Sequence, residues 1–318
     1  MAKPRILVTC AARHIPRVVQ LLEQAGGVTY LDDPSPDEVA AKIGDVEAVF
    51  CQPNRTRVFL GQRLIDLGRK LKVICTASTG THHIDVAYAA AKRLPVIDVY
   101  HDPIIYKVSS TAELNFGLTL AAVRRIPQGF EAVKRGEWDH NAFMGEQLDR
   151  LTIGIVGFER LGNWYARYCL AFGCRVLAYD HTRTFETPGV TQVDRDTLLR
   201  EADVLSFHVY WPAAQTPRVD KSWFERMKPT VIIVNTARGD VGAEADLLAF
   251  LERNPHAMYA TDVLENEVEV KADNPVIAYA RTHQSVIVTP HMGGQTKYGQ
   301  EAIYVRAAEM LKEFLAKA

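Results

Sequence analysis

Residues 151–180, LTIGIVGFERLGNWYARYCLAFGCRVLAYD, constrain the fold of this chain more than any other stretch. The order is a short apolar strand at 153–156, a turn Gly157-Phe158-Glu159-Arg160-Leu161-Gly162, and a helix carrying Trp164, Tyr165, Tyr168 and Leu170. A second strand then ends in Asp180. Strand, glycine turn, helix and acid-terminated strand make up the βαβ unit that holds a dinucleotide. Unpaired N–H groups and the dipole at the helix start attract a pyrophosphate, and the terminal acid accepts hydrogen bonds from ribose hydroxyls. One position breaks the G-x-G-x-x-G pattern: Glu159 puts a side chain and a negative charge where phosphate approaches. The middle glycine is the most negotiable, since the first makes the turn and the third lets helix and strand pack. Glu159 is therefore expected to face solvent, leaving the helix N–H groups and Arg160 for the pyrophosphate. Binding should be weakened rather than abolished.

A chain of 318 residues can build two domains with separate cores. Lys plus Arg is 37 and Asp plus Glu 38, which argues against a broad nucleic-acid or anionic-membrane surface. No apolar run is long enough to span a bilayer, and MAKPRILVTC reads directly into a strand rather than as a signal peptide. The five cysteines (Cys10, Cys51, Cys75, Cys169, Cys174) form no C-x-x-C pair and mostly sit in apolar runs. They read as buried inert thiols of a reducing compartment, so a cytoplasmic location is expected.

Before the nucleotide unit, strands are expected at 5–9, 28–31, 48–51, 73–76 and 96–99, with helices at 16–24, 36–42 and 61–69 between them. That alternation predicts a parallel sheet with helices on both faces. A long helix follows over 109–125, capped by Ser110 or Thr111 and ended by Pro127. Beyond Asp180, strands are expected at 203–208, 231–235, 257–262 and 285–289, and helices at 220–227, 244–253 and 300–315.

Ligands of an open parallel sheet sit beyond the carboxyl ends of its strands. Here three successive strand ends carry Thr236-Ala237-Arg238-Gly239, then Glu265, Glu267 and Glu269, then Pro290-His291-Met292-Gly293-Gly294. Oxidising an alcohol by hydride transfer needs a base for the hydroxyl proton, and histidine titrates near neutrality. A carboxylate on its other nitrogen fixes the tautomer and favours the charged form. Arginine offers a planar fork for a carboxylate. Each residue alone reads more readily as structural; their succession beside a nucleotide turn favours chemistry.

Over most of its length the chain resembles the D-isomer-specific 2-hydroxyacid dehydrogenases. NTARG at 235–239 resembles that family's arginine motif, TDVLENE at 261–267 its Asp-Val-Phe-x-x-Glu segment, and TPHMGG at 289–294 its Pro-His-x-Gly-Gly motif. SFH at 206–208 and MKP at 227–229 also fit, as does Ala112-Glu113 at the start of the interdomain helix. The resemblance implies Arg238 as the group that binds the substrate carboxylate, Glu267 (rather than Glu265) as the catalytic acid, and His291 as acid/base. The segment GTHHID at 80–85 is similar to the family's substrate loop, implying that N–H groups near Thr79 and Gly80 hold a carboxylate, with Arg55 a further source of positive charge. Cofactor contacts are implied for Gly157, Phe158, Glu159, Arg160, Leu161, Gly162, Asp180, His208, Thr236, Ala237, Asp262, His291 and Gly293. No metal is implied.

The implied fold is two Rossmann-like α/β domains: a flavodoxin-like substrate domain, residues 1–101 plus 291–318, and a doubly wound dinucleotide-binding domain, residues 102–290. A cleft closing on substrate and a homodimer built through the cofactor domain are likewise implied. The cofactor expected is NAD, because Asp180 repels a 2′-phosphate, although Arg183 nearby keeps NADP open. Besides Glu159, two features depart from the family: Val268 follows Glu267 where Pro is usual, and the stretch between Asp98 and Glu113 is longer, with Tyr100, His101 and Lys107. His82 and His83 read either as structural or as added positive charge. Interconversion of a small D-2-hydroxy acid and its 2-keto acid is the expected activity. The alternative is a nucleotide-sensing or corepressor-like protein on the same scaffold.

Overall fold

Twelve short strands, all paired in parallel, divide between two sheets in a computed structural model that describes residues 3–53, 58–209, 218–267 and 273–317. Arg55 therefore lies outside the described residues, as do Val268 and Glu269. Two compact bodies result: Met1–Val108 with Gln295–Ala318, and Ser109–Gly294.

The first body holds β1 (Arg5–Val8), β2 (Gly27–Tyr30), β3 (Ala48–Cys51), β4 (Val73–Thr76) and β5 (Val96–Ile97) in the order β2-β1-β3-β4-β5. This is the flavodoxin-like order. Its central strands are apolar on both faces because helices cover both: Ile6, Leu7, Val49, Phe50, Ile74 and Cys75 are all fully buried. The final helix, Lys297–Lys317, joins this body. Tyr304, Ala307, Ala308 and Leu311 enter the same core as Val18, Leu22 and Phe50, and Lys312 Nζ donates to Gln24 Oε1 at 2.7 Å.

The domain limits expected at 101/102 and 290/291 fall a few residues short of the limits of the two bodies, 108/109 and 294/295. Residues 103–107 form a 3-10 turn whose Ile105 is buried in the first core. Asp102 caps that turn through the Ile104 N–H (3.0 Å) and pairs with Arg306 of the last helix at 2.7 Å. Burial works against the Asp102 carboxylate, but Arg306 and the Ile104 N–H outweigh it and hold its pKa below the ordinary value.

The second body holds β6 (Thr152–Val156), β7 (Arg175–Tyr179), β8 (Val190–Gln192), β9 (Val204–Phe207), β10 (Ile232–Asn235), β11 (Met258–Thr261) and β12 (Val286–Val288). Their order is β12-β11-β10-β9-β6-β7-β8. The chain runs outward from β6 to β8, returns, and runs outward the other way from β9. The switch falls between β6 and β9, where an open α/β sheet forms its binding crevice. Fold class and the strands of the motif segments follow the sequence reading.

Several elements were not legible. Pro127 does not simply end a helix. Ser110–Val123 stops because Arg125 adopts φ 50°, and Pro127 then sits in the first turn of a new helix, Ile126–Lys134, where a missing N–H costs nothing. The short elements Val86–Ala91, Val190–Gln192, Arg195–Glu201 and Pro275–Ala280 carry too few residues for a clear hydrophobic period.

Candidate active site

The carboxyl end of β6 turns at Gly157, whose φ of +88° is open to glycine. A side chain there would also meet the His208 carbonyl group, with Cβ 2.9 Å from both carbon and oxygen. At Gly162 a Cβ would stand 2.3 Å from the Gly157 oxygen, so the helix Arg160–Ala171 can approach the turn only without one. Glu159 needs no such latitude: its backbone is at φ −106°, and its carboxylate turns aside to accept from Arg183 Nη2 at 2.8 Å. Leu161 and Tyr165 pack the helix into the core beneath.

Asp180, just past β7, accepts from the Phe158 N–H (2.9 Å) through one oxygen. Through the other it accepts from the Thr182 N–H and hydroxyl (both 2.9 Å) and the Arg183 N–H (3.1 Å). Burial opposes the charge, yet these donors prevail and hold the Asp180 pKa below the ordinary value. An ionised acid thus sits at the mouth of the glycine turn, and the Phe158 ring beside it stacks on Phe185 at 4.1 Å. A tight turn closed at Gly157 and Gly162, a helix start and an ionised acid at the end of the next strand fit a dinucleotide.

The next strand ends are joined by a buried polar chain. Asn115, fully buried in the helix Ser110–Val123, donates from Nδ2 to Thr236 Oγ1 (2.9 Å) and accepts at Oδ1 from Ser206 Oγ (2.9 Å). Ser206 Oγ lies 2.8 Å from His208 Nε2. With its hydroxyl proton spent on Asn115, Ser206 accepts from His208 Nε2–H, which fixes that tautomer. Burial pushes the His208 pKa down to about 3, so the ring is neutral. After β10, the Asn235 side chain staples the turn, accepting from the Ala237 N–H (3.0 Å) and donating to the Arg238 carbonyl (2.9 Å). Arg238 Nη1 donates to the Ala237 carbonyl at 2.6 Å.

Two further loops close on this turn. At Gly239 a Cβ would fall 1.9 Å from the Leu264 carbonyl carbon and 2.2 Å from the Glu265 nitrogen, so the arginine and glutamate loops cross backbone to backbone. Glu267 accepts from His291 Nδ1 and, through its other oxygen, from the Leu264 N–H at 3.2 Å. Both side chains are about a fifth exposed (His291 22%, Glu267 19%), enough for a small molecule to reach. Of the five non-glycine residues with positive φ among the described residues, two lie here: Asn266 at 52° and His291 at 51°. Strain of this kind concentrates where surrounding contacts fix a functional geometry.

Asp262 supplies those contacts. Buried at 2% exposure, it accepts from Thr289 Oγ1 (2.6 Å), the Met292 N–H (2.8 Å) and the Gly293 N–H (2.7 Å). Burial raises its pKa despite these donors. Glu265 serves differently: it pairs with Arg218 at 2.5 Å, and its N–H donates to Glu244 Oε1 at 2.7 Å. Burial, with Glu265 and Glu267 near, also raises the pKa of Asp240. Of the two acids, Glu267 alone meets the histidine.

In the first body, Thr79 and Gly80 follow β4 in a loop where the Gly80 N–H donates to Ser78 Oγ at 2.9 Å. His83 is a core residue: its Nε2 lies 3.2 Å from Thr76 Oγ1 and 3.4 Å from Cys51 Sγ. His101 and Lys107 are exposed.

The model of the D-isomer specific 2-hydroxyacid dehydrogenase NAD binding domain matches residues 116–293. The chain belongs to this family. It is 33% identical over 301 residues to a D-3-phosphoglycerate dehydrogenase of Methanocaldococcus jannaschii, covering 93% of this chain and 55% of that protein. It is also 33% identical over 277 residues to a hydroxypyruvate reductase of Thermotoga maritima, covering 86% of this chain and 87% of that one. The chain spans about half the length of the phosphoglycerate dehydrogenases it matches (55% and 50%). A crystal structure of a D-lactate dehydrogenase from Aquifex aeolicus, complexed with NAD and lactic acid, superposes with a TM-score of 0.84 at 26% identity, over 98% of this chain and 96% of that one. NAD is accordingly the cofactor of this member of the family.

Sequence reasoning missed Asn115. One polar residue in an apolar helix gives no motif, and its partners lie 91 and 121 residues away. His208 carries a measurable signature. Its folded pKa is depressed, so its stabilising contribution is complete above the unfolded value near 6.5 and is lost as pH falls towards 3. Between pH 6 and 4, chemical denaturation should show the wild type losing about 1 kcal/mol per pH unit more than His208→Gln. Parallel curves would show that His208 does not titrate in this way.

Proposed function

We propose that the chain is an NAD(H)-dependent oxidoreductase that interconverts a small D-2-hydroxy acid and its 2-keto acid. The observation that carries this reading is the contact of His291 Nδ1 with Glu267, on loops packed against that of Arg238. Glu267 accepts a hydrogen bond from Nδ1–H and so leaves Nε2 to exchange a proton with the substrate hydroxyl. It also compensates the charge the ring acquires when it takes that proton. Arg238 holds the substrate carboxylate and polarises the reacting carbonyl; Thr79, Gly80 and Arg55 are proposed as further substrate-binding residues. NAD, when bound, accepts or supplies the hydride. Gly157, Phe158, Arg160, Leu161 and Gly162 form its pyrophosphate cradle and Asp180 its ribose acceptor. Glu159, His208, Thr236, Ala237, Asp262 and Gly293 border or brace the rest of that site.

The first body, residues 1–108 plus 295–318, is proposed as the substrate domain and the second, residues 109–294, as the cofactor domain. A homodimer is the proposed assembly. Ile126, Phe130 and Val133 form one exposed stripe on the helix Ile126–Lys134, and Trp138 (88% exposed) and Met144 in the segment after it are exposed as well. Apolar surface of this extent on a water-facing helix is characteristic of an interface. The five buried, unpaired cysteines support a reducing, cytoplasmic setting.

A panel of 2-keto acids assayed with NADH should reveal turnover, and His291→Ala should lower kcat by at least ~10²-fold. Absence of turnover with every acid, with NADH still bound, would favour the nucleotide-sensing alternative. In sedimentation equilibrium the wild type should weigh twice the 35.5 kDa chain, and Phe130→Glu should shift it towards the monomer. A monomeric wild type at micromolar concentration would remove the dimer.

A further inference from the structure

Glu159 and Arg183 are the two features of the nucleotide site that the proposed reaction leaves unexplained. They come from opposite sides of it: Glu159 from the turn after β6, Arg183 from the loop after β7, their side chains 2.8 Å apart. Asp180 ties both strand ends together, accepting from the Phe158 N–H on one side and the Arg183 N–H on the other. Arg183 thus has its backbone anchored at the ribose-binding acid and its guanidinium turned to Glu159.

We infer that Glu159 is a cofactor-specificity residue, which withholds the Arg183 guanidinium from a ribose 2′-phosphate and so enforces the choice of NAD over NADP. The inference rests on the nucleotide reading of this site. Three charges decide it, those of Glu159, Asp180 and Arg183. With glycine at 159, the acid Asp180 and the base Arg183 would cancel, and a 2′-phosphate dianion would find one free guanidinium within reach. With glutamate, the local sum is one negative charge, and the guanidinium already has a carboxylate partner. Both side chains are half exposed (Glu159 40%, Arg183 55%), so the ion pair itself is weak and screened by salt. Its consequence comes from the sign of the field at the 2′ position rather than from stability. The same count explains how a glutamate is tolerated in the turn at all, since Arg183 draws its charge sideways, away from the path of the pyrophosphate.

Calorimetric titration of the full chain with NADH and with NADPH tests this without requiring a substrate. In Glu159→Gln the ratio of the NADPH to the NADH dissociation constant should fall about tenfold, mainly through tighter NADPH binding. In Glu159→Gln/Arg183→Ala the ratio should return to near the wild-type value, because the guanidinium that Glu159 withheld is gone. An unchanged ratio in Glu159→Gln overturns the inference while leaving NAD binding intact. An equal fall in the double variant also overturns it, since Glu159 would then repel the phosphate directly and Arg183 would have no part. Wild-type protein that binds neither nucleotide overturns the nucleotide reading and this inference together. Thermal melting of each variant establishes that it is folded.

Discussion

Parallel strands all point the same way, so every carboxyl end of the seven-stranded sheet reaches the same edge, with neighbours about 4.8 Å apart. Everything chemical in the second body depends on that constraint. Read along the edge from β12 to β7, the strand ends deliver His291, then Glu267, Arg238, His208, the glycine turn and Asp180. The groups proposed to hold the substrate and handle its proton occupy one half of the row and those proposed to hold the nucleotide the other, with the switch between β6 and β9 inside the latter. No long-range folding of loops is needed to assemble such a site. It is built by strand order.

Strand order itself was only partly legible. The alternation of apolar runs with helical patterns fixed the fold class and the strands that carry motifs, because those signals are local. For the two acids that motif register separates, the geometry gives different partners: His291 for Glu267, Arg218 for Glu265. What could not be read was polar satisfaction at a distance. Asn115 completes hydrogen bonds for Ser206 and Thr236, and no spacing in the sequence links three such residues. The break after Val123 was obscured for a different reason: Arg125 takes a left-handed conformation that favours glycine or asparagine, a tertiary demand overriding local preference. The domain limits shifted for a third, since one ion pair, Asp102 with Arg306, spans 204 residues.

Glu159 illustrates how a motif departure can be misread when charges are counted one residue at a time. Alone, it is an anion placed where an anion must bind. Beside Arg183 it is half of a neutral pair whose other half would otherwise alter the preference of the site. The departure and its neighbour have to be weighed together.

The backbone crossing at Gly239 has an implication for how this edge can vary. Because there is no room for even one methyl group between that residue and the Leu264–Glu265 peptide, the arginine and glutamate loops are geometrically a single object. An insertion or a changed turn in either must be matched in the other. Anyone grafting a different substrate preference onto this scaffold should therefore transplant the two loops as a pair, and relatives should exchange them that way too.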